Sequence, residues 1–164
     1  PQARWDFLFE SAGAGCTYVV KTELAYAIKN ILNNHSGAML DIGGGQHDWF
    51  MYAFARANHY VWFIDNFSGM LYRQHQNNLV GANLGLKAFF YRIRVVLNGW
   101  YFQQSLIIAN LVGLSDSVFL IRWKNGGRLG LFWLGLHAHQ CRRRLRDKLL
   151  FALSCLLLCF VKRS

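Results

Sequence analysis

From Thr22 onward the apolar positions Leu24, Ala25, Ile28, Ile31 and Leu32 recur at helical spacing until Asn33 to Gly37 interrupts them, so a helix is predicted there. Ala38 to Asp41 then reads as a short apolar strand ending in a carboxylate. Gly43, Gly44 and Gly45 make a turn, and Phe50, Ala53, Phe54 and Ala57 mark the buried face of a second helix. Asp48 can cap that helix and Asn58-His59 ends it. Tyr60 to Ile64 is apolar throughout, as a strand covered on both faces would be, and Asp65 stands at its end. Ser68 suits the start of a third helix carrying Met70, Leu71 and Leu79. Arg92 to Leu97 reads as a third strand, Asn98-Gly99 as its turn, and Phe102 to Leu111 as a weaker helix. Val118 to Ile121 and Leu129 to Leu134 read as strands four and five. The link between them is too short for a parallel crossover, which predicts an antiparallel hairpin turning at Asn125-Gly126.

The expected fold class is therefore α/β: a Rossmann-like, mainly parallel sheet with helices on both faces and an antiparallel hairpin at the C-terminal side. Right-handed crossovers would bring Asp41 and Asp65 to one crevice. Glycine loses the most backbone entropy on folding, so three in a row between a strand and a helix need a reason. Close approach of a polar ligand to main-chain N–H groups at a helix start supplies one; an ordinary αβ loop is the other.

Composition narrows the class. At 164 residues the chain suits one domain, 1–164, with N-terminal cap helices over 1–37 and a basic, apolar tail over 142–164. Its hydrophobic content of 54% and single proline disfavour disorder. The formal charge of +10 is uneven: residues 1–100 hold eight Lys/Arg against six Asp/Glu, and 101–164 hold ten against two. Such a bias favours anionic partners, nucleic acid or a lipid surface. The four cysteines form no CxxC pair, and no secretory signal opens the chain, so reduced thiols in the cytoplasm are expected. Leu149 to Val161 is an apolar run of 13 residues, short of the roughly 20 that a spanning helix needs, so no transmembrane span is expected.

Leu40-Asp41-Ile42-Gly43-Gly44-Gly45, followed by Phe63-Ile64-Asp65-Asn66-Phe67-Ser68-Gly69-Met70-Leu71, resembles the class I S-adenosylmethionine-dependent methyltransferase family. The resemblance covers roughly residues 20–135 and is strongest over 38–72. It implies S-adenosylmethionine as cofactor, with Gly43, Gly44 and Gly45 against its methionine part, Asp65 on the ribose hydroxyls and Asn66 beside the adenine. Asp41 would orient the glycine turn or reach the cofactor's amino group through water, and Asn98 would replace the acidic residue that the family usually offers to the adenine amino group. The implied activity is methyl transfer to a small-molecule acceptor, with no catalytic side chain identified. The helix normally found between strands four and five has no room here.

Other constellations carry different chemistry. His137, His139 and Cys141 alternate, which in an extended segment would put three zinc-type ligands on one face, but no fourth is visible and no metal is expected. Arg142 to Arg146 could grip phosphates or form a solvated basic face. Leu149 to Val161 could lie on anionic lipid or be a buried terminal helix or strand. The alternative function is thus a catalytically inactive Rossmann-like protein that binds nucleic acid or an anionic membrane surface through 142–164, peripheral to the membrane. A nicotinamide or flavin dinucleotide fold fits less well, because its glycine fingerprint meets Asp48.

Overall fold

The computed structural model of the chain describes residues 2–34, 46–65, 67 and 98–160. Among these the α-helices are α1 (Thr22–Asn34), α2 (His47–Ala57), α3 (Trp100–Leu111), α4 (Val118–Asn125), α5 (Gly127–Leu136), the single turn α6 (Ala138–Cys141) and α7 (Leu145–Phe160). Two short 3-10 turns, Asp6–Leu8 and Gly15–Thr17, precede them. No strand occurs among the described residues, and the expected α/β sheet is replaced by a helical assembly. Predicted strands one and three, Ala38 to Asp41 and Arg92 to Leu97, and the helix from Ser68 lie outside the described residues.

Strands four and five are helices for local reasons. The Ser117 hydroxyl accepts the Leu120 N–H at 3.3 Å, capping α4. Phe119, Leu120 and Trp123 then face inward at i, i+1 and i+4. Leu131, Leu134 and Ala138 are buried at i, i+3 and i+7 along α5 and into α6. A short apolar run is compatible with strand or helix, and here burial on one helical side decides. The predicted hairpin at Asn125-Gly126 is a helix–helix corner. A Cβ on Gly126 would lie 2.7 Å from both the Arg122 carbonyl and the Gly130 Cα, and Gly127 turns with φ +53°.

The segment Tyr60 to Ile64 is not covered on both faces. Val61 is 98% and Phe63 82% exposed, while Tyr60, Trp62 and Ile64 are half-buried. It leaves α2 through a Schellman turn: Tyr60 N–H donates to the Ala55 carbonyl at 2.9 Å, with His59 left-handed at φ 63°. Helices α1, α2 and α3 agree with the expected elements near 22–32, 48–57 and 102–111.

The N-terminal aromatic segment supplies the centre of the core. Phe7, Leu8 and Phe9 are buried, Trp5 stacks on Phe119 at 4.6 Å, and Phe9 meets Phe151 edge-on at 5.0 Å. Trp49 of α2 donates its indole N–H to the Phe7 carbonyl at 2.8 Å. Side chains of this size contribute about 1.5–3 kcal/mol each when buried. Residues 5–9 thereby hold α2 against α4 and α7, which fixes where α2 begins.

Candidate active site

Asp6 anchors the platform behind the site. Its side chain is fully buried and accepts hydrogen bonds from the Tyr52 hydroxyl at 2.9 Å and from Arg56 Nη1 at 3.1 Å. Arg143 lies 3.5 Å away on the same carboxylate and also pairs with Glu10 at 3.3 Å. Arg142 reaches Glu10 at 3.6 Å and lies over the rings of Tyr101 and Phe151. A buried carboxylate is tolerated only when paired and hydrogen-bonded, and here α2 and the link between α6 and α7 provide the partners. Burial outweighs the two arginines at Glu10 and raises its pKa; burial likewise pushes the Tyr52 phenol up. Half of the predicted basic face therefore points inward: Arg142 and Arg143 are structural counter-ions, and Arg144 and Arg146 are exposed.

In front of this platform the loop 11–18 folds onto the start of α2. Its turn closes on itself, with Tyr18 Oη donating to the Gly13 carbonyl at 3.0 Å and Thr17 Oγ1 donating to the Ala14 carbonyl at 2.7 Å. Gly15 is the contact point: a Cβ there would stand 3.1 Å from the Asp48 Cβ and 3.2 Å from His47 Nε2. Asp48 is half-buried in the first turn of α2 and accepts the Trp49 N–H at 2.9 Å. Trp62 packs edge-on against Tyr18 at 4.9 Å and Tyr52 at 5.4 Å, closing one side. Burial, with the nearby Asp48 charge adding to it, raises the Tyr18 pKa. A half-buried carboxylate, an imidazole and a phenol thus meet at a glycine-backed helix start. This set can take a proton from a bound hydroxyl and hydrogen-bond a polyol.

Of the site residues expected from sequence, Asp65 and Asn98 lie among the described residues. Asp41, Gly43, Gly44, Gly45 and Asn66 lie outside the described residues. Asp65 is exposed and accepts the Phe67 N–H at 2.9 Å, forming a local turn. Asn98 is exposed and accepts the Trp100 N–H at 3.0 Å at the start of α3. Asp48 was legible only as a helix cap. The signal for its wider setting was the Ser-Ala-Gly-Ala-Gly stretch at 11–15, whose small residues permit the close approach at Gly15. His137 and His139 stand near one another with ring centroids 6.0 Å apart, but among the described residues no group of three metal-ligand side chains forms.

No protein-family profile matches the chain, and no solved structure does. The Rossmann-like alternative, a non-catalytic binding protein, falls with the sheet. The methyltransferase resemblance, its methyl acceptor and its S-adenosylmethionine cofactor are overturned by similarity to a sugar transferase. Over 156 residues the chain is 42% identical to the dTDP-rhamnosyl transferase RfbG of Shigella flexneri, a match that takes in 95% of this chain and spans about half, 53%, of that relative.

Proposed function

We propose that this chain forms part of a glycosyltransferase that moves a rhamnosyl-type sugar from a thymidine-diphosphate donor to a hydroxyl group of an acceptor. The observation that carries this reading is the 42% identity to a dTDP-rhamnosyl transferase across 95% of the chain. In the transfer, the acceptor oxygen bonds to the anomeric carbon as the bond from that carbon to the diphosphate oxygen breaks. The diphosphate leaves with the bonding electrons, and the hydroxyl proton needs an acceptor.

Asp48 is the residue we assign to that proton. Its carboxylate sits at the positive end of α2, which suits a negative charge, and loop 11–18 covers one side of it without a side chain at Gly15. We assign hydrogen bonding of the acceptor to exposed His47 beside it, with the Trp62 ring packed on Tyr18 limiting water on the flank. A positioned general base contributes about 10²–10⁴-fold to rate.

Incubation with dTDP-rhamnose and a hydroxyl-bearing glycan is expected to release dTDP in step with rhamnosyl transfer. Asp48→Asn should lower kcat by about 10²–10⁴-fold while the helical circular dichroism stays unchanged. Absence of dTDP release, from this chain and from any longer polypeptide that carries it, would end the functional proposal. Undiminished turnover by Asp48→Asn would remove only the role given to that carboxylate.

A further inference from the structure

Helix α7 is apolar on both sides. Phe151, Cys155 and Leu158 face the core, yet Leu149, Leu153, Leu156 and Phe160 form a second stripe on the opposite side, with Leu149 65% and Phe160 79% exposed. Helix α5 continues that surface with exposed Leu129, Phe132 and Leu136. The two helices run antiparallel and close together: the Cys159 thiol donates to the Arg128 carbonyl at 3.3 Å, and a Cβ on Gly135 would lie 3.2 Å from the Cys155 Cβ. Their outer stripes meet in an apolar groove of about 330 Å³ lined by Phe132, Gly135, Leu136, Ala152, Leu153 and Leu156.

We propose that this outer face of α5 and α7 lies on an anionic lipid surface, with both helix axes in the plane of the interface. Charge complementarity favours this occupant. Exposed Arg128 stands at one end of the apolar strip and exposed Arg144 and Arg146 at the other. A helix apolar on one face and flanked by cations inserts its leucines among acyl chains while the guanidinium groups meet lipid phosphates. A second copy docking through the same patch would set these arginines against each other. An RNA strand would engage the arginines and leave the leucines in water. Spanning is not the geometry: the 16 residues of α7 reach about 24 Å against roughly 30 Å of hydrocarbon, and no helix among the described residues is long and apolar enough to cross a membrane. The inference does not depend on glycosyl transfer.

Co-sedimentation with vesicles tests it. The protein is expected to pellet with phosphatidylcholine vesicles containing about one-third phosphatidylglycerol, and to be released by high salt, because salt screens the attraction between the arginines and anionic headgroups. Reversing Arg144 and Arg146 to Glu should weaken the binding at least roughly tenfold. Leu153→Glu with Leu156→Glu should abolish it, with circular dichroism unchanged because both leucines are outside the core. Equal binding to pure phosphatidylcholine, binding indifferent to these variants, or no binding to vesicles overturns the proposal. So does a wild-type dimer dispersed by the leucine variants without vesicle binding, capture of an RNA homopolymer in place of vesicles, or the face being covered in a longer polypeptide.

Discussion

The N-terminal segment with α2 and the hairpin of α5 with α7 use burial in opposite ways. Around Asp6 the chain takes a carboxylate fully out of water and surrounds it with Tyr52, Arg56 and Arg143. Along α5 and α7 it joins two helices through close contact at glycine and leaves a row of leucines outside. The first region gains a fixed geometry from directional bonds, which is what a loop and helix start holding Asp48 require. The second is built from non-directional packing and keeps apolar surface beyond what its own core needs, a sign of a further partner.

Removing the anchor should give the largest effect on stability. Asp6→Ala leaves Arg56 and Arg143, each less than one-fifth exposed, without their shared carboxylate, and a loss of about 3 kcal/mol is expected in urea unfolding. A loss below about 1 kcal/mol would mean that the polar cluster is peripheral, erasing the contrast with the hairpin. At the other region, Gly130→Ala places a Cβ against the Trp123 carbonyl at the corner of α4 and α5. Overpacking costs about 1–3 kcal/mol, partly offset by the better helix propensity of alanine, so a net loss of about 1 kcal/mol is expected in thermal unfolding. An unchanged midpoint would show that the corner yields easily.

The smallest effect is a pH dependence confined to the polar region. Glu10 has its pKa raised above 4.5 by burial, which wins over Arg143 and Arg142. The folded state therefore holds this proton more tightly than the unfolded chain does. Its stabilising contribution is fully present below pH 4.5 and is lost as pH rises through the higher folded-state value. The stability of wild type relative to Glu10→Gln should fall between pH 4.5 and neutrality. A flat difference would mean that the arginines balance burial. Substitutions on α5 should show no such profile, since that helix carries no carboxylate or imidazole.

Several helices were legible because their periodicity spans more than one turn: Leu24 and Ile28 in α1, and Phe50, Ala53 and Phe54 in α2, are buried as their spacing predicts. Val118 to Ile121 and Leu129 to Leu134 read as strands yet fold as helices, because runs of four to six residues carry no decisive period. Two glycine-and-carboxylate segments then led to a methyl donor. The similarity that spans nearly the whole chain is instead to a dTDP-rhamnosyl transferase.

The sequence by itself determined the helical stop that rests on local hydrogen bonds at Asn58-His59, and it carried the charge imbalance of the C-terminal region. Only the tertiary structure decided that Arg142 and Arg143 turn inward to Glu10 and Asp6 across more than 130 residues, whereas Arg144 and Arg146 stay in solvent. A run of like charges states how many cations there are. Which of them is neutralised depends on where a distant carboxylate is buried, because the cost of an unpaired charge arises only once the chain has packed around it.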